Sequence, residues 1–335
     1  MASLIFPENG YVFDTHTDKQ NTFIKKIHIE GTEKAIDWMY SIKNKEEWSY
    51  PREIELRWVK DESETYIVEL SETEDFLHCK RIETNDSFCS FGNLKIGQKY
   101  FWKVNNGDIR YFITLDNIPR FIKINGALNV RDLGGNKIKQ GILYRGTEFD
   151  EVYHLEPSGR ETIIEELKIK SQLDIRGPYQ HHIDNSPIKD KVELIQIAYR
   201  PYMEIFEPAH RQHICEIMQV FADETKYPIY INCVGGADRT GMIVLYLRAI
   251  AGESDDDIFT DYELTGLSSY TMGLSEGVDN GRRWRTAPYF LEFLTELKKY
   301  AEPNAPLSVL VRAFLMDCGV AQDCIDKIAS IIKNN

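Results

Sequence analysis

The sequence lacks the long apolar runs of a membrane protein and any cysteine pattern of a zinc site. No apolar run approaches the roughly 18 residues that a membrane-spanning helix needs. The first residues, MASLIFPENG, lack the basic segment and long apolar stretch of a signal peptide. The six cysteines are scattered and include no CxxC pair, which argues against a structural zinc site and a disulfide framework. We therefore expect reduced thiols and a cytoplasmic location, with secretion as the alternative if a leader is removed from the chain.

Basic residues are also in the minority. The 335 residues include 40 Lys and Arg against 53 Asp and Glu, which gives a formal net charge of -13. A nucleic-acid partner is not expected, because such partners normally bind a surface with a basic excess. The 42% apolar and 12% aromatic content is enough for folded cores. At about 100–200 residues per domain, the length favours two domains.

The first part of the chain has the alternating pattern of β-strands, which is clearest in residues 99–104. The segment Leu94-x-x-Gly97-x-x-Tyr100 resembles the tyrosine corner of fibronectin type III and immunoglobulin-like sandwiches. We therefore predict an all-β sandwich domain over residues 1–118. Such a domain could contact protein or carbohydrate, although its fold alone does not determine a function.

The pattern changes after Asn117-Ile118-Pro119, which is typical of a linker. Short apolar runs then alternate with helical patterns; the runs occupy residues 141–146, 171–177, 192–199 and 227–232. Beyond residue 240 almost the whole chain has a helical pattern. This order predicts an α/β domain over residues 119–335, with a mainly parallel central sheet flanked by helices.

One segment joins a buried strand to a helix through a glycine-containing turn: Tyr230-Ile-Asn-Cys233-Val-Gly-Gly-Ala-Asp238-Arg239-Thr-Gly241. Backbone N–H groups at such a turn, together with the helix dipole, form a binding site for a phosphate group. The guanidinium of Arg239 can bind two phosphate oxygens. The same field favours the thiolate form of Cys233, which can attack phosphorus in line. The predicted phosphate-binding residues are Val234, Gly235, Gly236, Ala237 and Thr240.

Cys-x5-Arg followed by Thr-Gly resembles the signature loop of the cysteine-dependent protein tyrosine phosphatase superfamily. Three further stretches, over residues 126–270, resemble a bacterial branch of that superfamily: Asn129-Val-Arg131-Asp132-Leu-Gly134-Gly135, Tyr144-Arg145-Gly146 and Asp174-Ile-Arg176. The resemblance implies hydrolysis of a phosphomonoester through a phosphocysteine on Cys233, with no metal and no cofactor. Members act on phosphotyrosine and, in several cases, on phosphoinositides.

Two positions depart from that branch. Asn232 stands where members usually have a histidine that supports the loop and the thiolate, although asparagine can also hydrogen-bond loop carbonyls. Ala237 stands where the branch often has lysine, and the loss of this cation disfavours substrates with several phosphates. We predict a protein-tyrosine phosphatase. A phosphoinositide or phosphoserine phosphatase and a catalytically weak phosphate-binding module stay open as alternatives, with a phosphoprotein or a phospholipid headgroup as the corresponding ligand.

The general acid has two candidates. Asp238, next to Arg239, matches an aspartate to which the branch assigns this role, but it could instead brace the loop. Asp174, at a strand end, could be the acid, although a structural ion pair with Arg176 beneath the site is favoured. The predicted supports of the phosphate loop are Asn129, Arg131 and Asp132.

Two polar stretches are weaker candidates. His181 and His182 are predicted to be surface residues rather than metal ligands. The run Arg282-Arg283-Trp284-Arg285 could contact an acidic phosphosubstrate, but a solvated charged run is an equally good interpretation.

Overall fold

The structure is a computed structural model. It describes residues 2–42, 47–176, 185–268, 284–302 and 304–334. The chain forms two compact units: Met1–Thr17 with Pro51–Arg120, and Asp18–Tyr50 with Phe121–Asn335. Strands and helices are both abundant, so the predicted α/β class is confirmed for the chain as a whole. Within the described ranges, no helix is long and apolar enough to cross a membrane.

The first unit has two β-sheets around one apolar core. One sheet has the order β1-β3-β6 and is antiparallel; its strands are β1 (Ser3–Phe6), β3 (Ile54–Val59) and β6 (Phe88–Phe91). The other has the order β2-β8-β7-β4-β5; its strands are β2 (Tyr11–Phe13), β4 (Tyr66–Ser71), β5 (Cys79–Thr84), β7 (Lys99–Val104) and β8 (Arg110–Thr114). Alternate side chains of β3 and β7 are buried, and Trp58 and Trp102 are the largest of them.

Tyr100 lies in β7 and is buried in this core. Its hydroxyl accepts a hydrogen bond from the backbone N–H of Lys95, at 2.8 Å. Gly97, between them, has φ of +63°, a conformation that glycine adopts without strain. The predicted tyrosine-corner residues therefore make the backbone contact that characterises this motif.

Residues 18–50 differ from the β-structure predicted for the first 118 residues. They include helices α1 (Asp18–Glu30) and α2 (Thr32–Ser41), and they belong to the second unit. The prediction was wrong for this segment because its buried residues recur at helical spacing. Phe23 and Ile27 in α1, and Ala35 and Met39 in α2, are each four residues apart and buried.

The second unit contains a six-stranded sheet with the order β13-β12-β14-β11-β10-β9. Its strands are β9 (Arg120–Phe121), β10 (Arg131–Asp132), β11 (Leu143–Gly146), β12 (Ser171–Asp174), β13 (Glu193–Gln196) and β14 (Ile229–Asn232). Strands β11, β14, β12 and β13 pair in parallel, whereas β10 pairs antiparallel to β11. Every residue of β11, β12 and β14 is buried, because helices cover the sheet.

The helices of this unit after the first sheet strands are α3 (Pro157–Glu161), α4 (Arg211–Phe221), α5 (Asp238–Ala251), α6 (Asp255–Glu263), α7 (Pro288–Leu297), α8 (Leu307–Asp317) and α9 (Gln322–Ile332). Helix α5 is buried on all sides from Thr240 to Ala251, as its apolar sequence predicts. It ends at Gly252, whose φ of +82° makes it a left-handed C-cap.

Candidate active site

The site lies where three parallel strands of the second unit end. In the pairing register, Asn232 at the end of β14 is opposite Gly146 of β11 and Asp174 of β12. Cys233 follows β14 directly, and helix α5 begins at Asp238. The loop of residues 233–237 therefore runs from the carboxyl edge of the sheet into a helix N-terminus, a place where ligands of open α/β sheets bind.

The carbonyl groups of this loop are held by donors that lie outside it. The side-chain amide of Asn232 donates to the Cys233 carbonyl at 3.3 Å, and the backbone N–H of Glu148 donates to the Val234 carbonyl at 3.1 Å. The Asn129 amide donates to the carbonyls of Gly235 and Gly236, both at 3.1 Å. Arg145 Nη2 also donates to the Gly236 carbonyl, at 2.6 Å.

These bonds determine where the loop amides point. In a trans peptide the N–H points away from the C=O of the same peptide unit. Since the carbonyls of residues 233–236 point outward to their donors, the N–H groups of residues 234–237 point to the opposite side. Successive backbone N–H groups on one side of a turn are the donors of which anion-binding nests are made.

Two glycines let the loop pack directly on the end of β11. Gly236 has φ of +60°, and a Cβ atom there would lie 2.2 Å from the carbonyl oxygen of Gly146. A Cβ atom on Gly146 would lie 2.1 Å from the hydroxyl oxygen of Tyr230. Neither position has room for a side chain, so the glycines of the loop and of the Tyr-Arg-Gly stretch are required sterically.

A buried cluster of three arginines around Asp261 supports the loop from below. Arg131 Nε donates to Asp261 Oδ1 at 2.9 Å, and Arg145 Nη1 donates to Oδ2 at 2.6 Å. Arg248 Nη2 lies 3.3 Å from Oδ1. Burial alone would raise the pKa of Asp261, but the charges of the three arginines hold it well below its usual range.

The cluster also fixes the loop's donors. Arg131 Nη1 donates to Asn129 Oδ1 at 2.6 Å, so the amide nitrogen of Asn129 faces the loop. The sequence predicts Asn129 and Arg131 as supports, and the structure places both beneath the loop. The sequence does not identify Asp261 or Arg248 as supports. The only signal for Arg248 is a charged residue inside the apolar helix pattern of α5.

Asp132 is placed differently from the other predicted supports. Its two carboxylate oxygens accept hydrogen bonds from the backbone N–H groups of Gly134 and Gly141, at 2.8 Å and 2.7 Å. These bonds close the turn between β10 and β11. Asp132 therefore braces the turn that leads into β11.

Asp174 and Arg176 form the predicted ion pair. Both carboxylate oxygens of Asp174 accept hydrogen bonds from the Arg176 side chain, at 2.6–3.0 Å. Arg176 Nη1 also lies 2.8 Å from Asp150 Oδ1. Burial and a hydrogen bond with Glu148 raise the pKa of Asp150. The ion pair thus connects β12 to the segment around residue 148, which contacts the loop at Val234.

The remaining predicted site residues lie in the loop and in the first turn of α5. Asp238 Oδ1 accepts a hydrogen bond of 2.6 Å from the Tyr202 hydroxyl. Cys233 is 3% exposed, and Arg239 is half-buried. Thr240 is fully buried, and its hydroxyl has no hydrogen-bond partner within the part of the chain that the structure describes. No sequence pattern points to Tyr202, which is 36 residues away from Asp238.

Part of the chain is similar to a known protein family. Residues 122–282 match the tyrosine phosphatase family. The matched range includes strands β10 to β14, the loop and helices α5 and α6. None of the curated proteins matches the chain.

Two solved structures are similar to part of the chain. One is the core catalytic domain of the PP-IP phosphatase SIW14 from S. cerevisiae in complex with citrate. It is 18% identical, with a TM-score of 0.30, and the similarity covers 47% of this chain and 94% of that one. The other, a structure of the Siw14 catalytic core, is 20% identical with the same TM-score, over 41% of this chain and 80% of that one.

The weaker candidates lie outside the loop's contacts or outside the described residues. Arg285 Nε donates to Glu263 Oε1 at 3.0 Å, and Nη1 donates to Asp256 Oδ1 at 2.8 Å. Arg285 is therefore paired with two carboxylates of α6. The other predicted residues, His181, His182, Arg282 and Arg283, lie outside the described ranges. Within those ranges, no three His, Cys, Asp or Glu side chains are grouped as metal ligands.

Proposed function

We propose that the second unit is a phosphomonoester hydrolase of the protein-tyrosine phosphatase type, acting through a phosphocysteine on Cys233. One observation carries the proposal: four successive carbonyls of the loop between Cys233 and α5 accept from donors outside it, which leaves its N–H groups to face the opposite side. A tetrahedral dianion needs such an arrangement of N–H donors. A structural cysteine in an ordinary strand-to-helix turn does not.

In the proposed reaction, the Cys233 thiolate attacks phosphorus while the loop amides and Arg239 bind the non-bridging oxygens. The phosphorus–leaving-oxygen bond breaks as the sulfur–phosphorus bond forms. A carboxylic acid protonates the leaving oxygen. Water then attacks phosphorus, the sulfur–phosphorus bond breaks, and the same carboxylate takes the water proton.

We assign the acid role to Asp238 rather than to Asp174. Both oxygens of Asp174 are engaged by Arg176. A carboxylate whose two oxygens are both held by a guanidinium has neither oxygen left to face a leaving group. Asp238 is one peptide bond from Arg239, and only its Oδ1 atom accepts a side-chain hydrogen bond among the described residues.

Phosphotyrosine is the substrate that we propose first. The loop and the first turn of α5 together supply one cation, Arg239, because position 237 is alanine, and one cation suits a single phosphate dianion. Tyr289, 43% exposed, lies with its ring 6.3 Å from that of Tyr202, which in turn contacts Asp238. An aromatic surface next to the acid offers a place for the phenyl ring of the substrate.

We extend the proposal to the role of the first unit and to the location of the protein. Two sheets with one core and the Tyr100 contact support a fibronectin III or immunoglobulin-like domain. We propose that this domain recognises a protein or carbohydrate while the second unit acts on a phosphoprotein. A cytoplasmic location fits six free cysteines.

The test is hydrolysis of an aryl phosphate by the full chain. We expect vanadate-sensitive turnover that Cys233→Ser abolishes, because serine is far weaker as a nucleophile at neutral pH. Cys215→Ser is the matched control and should keep wild-type turnover, since Cys215 lies in α4 and donates to the Cys318 carbonyl. Full turnover by Cys233→Ser would refute the assignment of Cys233 as the nucleophile.

A substrate panel then decides between the alternatives. We expect kcat/KM to be higher for a phosphotyrosine peptide than for a phosphoserine peptide or a phosphoinositide headgroup. A preference for either of the last two would replace the tyrosine assignment. Vanadate binding without any turnover would instead identify a phosphate-binding module.

A further inference from the structure

A hydrogen-bonded chain of two tyrosines ends on the proposed acid. The Tyr202 hydroxyl donates to Asp238 Oδ1 at 2.6 Å, and it is also hydrogen-bonded to the hydroxyl of Tyr262. A phenol has one hydrogen to donate. Since Tyr202 gives its hydrogen to the carboxylate, the Tyr262 hydroxyl must be the donor in the second bond.

The surrounding residues hold this chain in place. Tyr202 and Tyr262 are 7% and 3% exposed. The ring of Tyr262 lies against α5 at Gly241, where a Cβ atom would be 2.8 Å from the ring. Gly241, in the Thr-Gly part of the signature, therefore makes room for Tyr262. Burial, together with the charges of Tyr262 and Asp238, raises the pKa of Tyr202, so its hydroxyl stays protonated.

The backbone of Tyr202 is strained. Its φ is +58°, a left-handed conformation that bulky residues rarely adopt, at the first residue of the short 3-10 helix Tyr202–Phe206. Such strain persists only where the surrounding structure fixes it, and it is concentrated at functional sites. Here the strained residue is the one whose side chain contacts Asp238.

We propose that Tyr202 is a positioning residue that determines which oxygen of Asp238 carries the catalytic proton. The inference rests on the proposed function. The Tyr202 hydroxyl donates its hydrogen to Oδ1 of Asp238. When Asp238 is protonated, its own proton must therefore be on Oδ2. Oδ2 is then the atom that protonates the leaving oxygen and later takes the proton of the attacking water. Oδ1 accepts from Tyr202 in both states.

The test is a double-mutant cycle in the full chain, measured on phosphotyrosine and on dinitrophenyl phosphate, whose leaving group needs little protonation. We expect Tyr202→Phe to lower kcat on phosphotyrosine by about 10–100-fold, as misplacement of a reacting group does, with little change in KM. The loss on dinitrophenyl phosphate should be much smaller. In the Asp238→Asn background, Tyr202→Phe should cause no further loss, because it acts through Asp238.

Tyr199→Phe is the matched control. Tyr199 is also buried and forms a tyrosine–tyrosine hydrogen bond, with Tyr246 at 3.1 Å, without contact to Asp238. It should keep wild-type kcat on both substrates. Equal losses on both substrates, or an undiminished loss in the Asp238→Asn background, would overturn the positioning role. A wild-type chain without turnover, or an active Cys233→Ser, would contradict the proposed function instead, and this inference with it.

Discussion

Asn232, which stands where the branch it resembles usually has histidine, is held in place by neighbouring side chains. Gln172 Nε2 donates to Asn232 Oδ1 at 2.8 Å, and the Ser186 hydroxyl donates to Gln172 Oε1 at 2.5 Å. These bonds orient the amide so that Nδ2 faces the Cys233 carbonyl. The sequence predicts that asparagine can bind a loop carbonyl. It does not predict Gln172, because a contact across 60 residues depends on the pairing of β12 with β14.

At the same scale, the six cysteines differ in their expected reactivity. Burial raises the pKa of Cys89 and of Cys318 to about 12, and it also raises the pKa values of Cys79, Cys215 and Cys324. These five thiols are poorly ionised at neutral pH and react slowly with peroxide. Cys233 differs from these five in its place, since it begins the loop that leads into the N-terminus of α5.

We therefore predict that mild peroxide oxidises Cys233 first and inactivates the enzyme reversibly. Oxidation to the sulfenic acid is the first step, and a thiol reductant restores the thiol. Mass spectrometry at partial inactivation should find Cys233 modified before the other five, and vanadate should slow the reaction. Modification of Cys215 or Cys318 before any loss of turnover would contradict the prediction.

At the scale of elements, the sequence is most informative where strand, turn and helix follow one another locally. The order of β14, the loop and α5 could be predicted because apolar runs, glycines and Gly252 mark it within about 25 residues of sequence. The buried charge cluster could not be predicted; its contacts are those among Arg131, Arg145, Arg248 and Asp261. They join β10, β11, α5 and α6, and although the sequence predicts Arg131 as a support of the loop, nothing in it pairs these arginines with Asp261.

This cluster predicts a pH-dependent loss of stability in Asp261→Asn. Removing the carboxylate leaves three buried arginines with less compensating charge, so we expect the free energy of unfolding to fall by about 3–5 kcal/mol at pH 7. The low pKa of Asp261 in the folded chain means that its stabilisation is complete above the unfolded value of about 3.9 and is lost as the pH falls below it.

Urea unfolding at pH 7 and at pH 3 measures this difference. The gap between the wild type and Asp261→Asn should be smaller at pH 3. Asp190→Asn is the control, because Asp190 is an exposed aspartate paired with Arg160, and it should change stability little at either pH. An equal gap at both pH values would show that the charge of Asp261 is not the source of the stabilisation.

At the scale of the whole chain, the second unit is larger than the segment that matches the tyrosine phosphatase family. That match begins at residue 122, whereas α1 and α2, from residues 18–41, belong to the same compact unit. Phe23 and Met39 pack with Leu264, Leu267 and Trp284 in one apolar cluster. The sequence did not reveal this, because a segment inserted between β-strands carries no mark of the unit on which it packs.

The apolar cluster that includes Phe23 and Trp284 is connected to the loop by Thr265. A Cβ atom on Gly266 would lie 2.5 Å from the Trp284 ring and 3.2 Å from Phe23, so the backbone at residues 264–267 is in direct contact with α1. Thr265, in that segment, lies with its hydroxyl oxygen 3.4 Å from the Asn129 amide that holds two carbonyls of the loop. We therefore expect α1 to stabilise the active site.

The corresponding prediction concerns Phe23→Ala, which removes a fully buried side chain from α1. It should lower the free energy of unfolding by about 3–5 kcal/mol, and the temperature at which aryl phosphate turnover is lost should fall with it. Ile29→Ala, in the same helix but at a position 72% exposed, should stay within about 0.5 kcal/mol of the wild type. Thermal inactivation and urea unfolding of both variants would measure this. If Phe23→Ala inactivated at the wild-type temperature, α1 would not be part of the cooperative unit that carries Cys233.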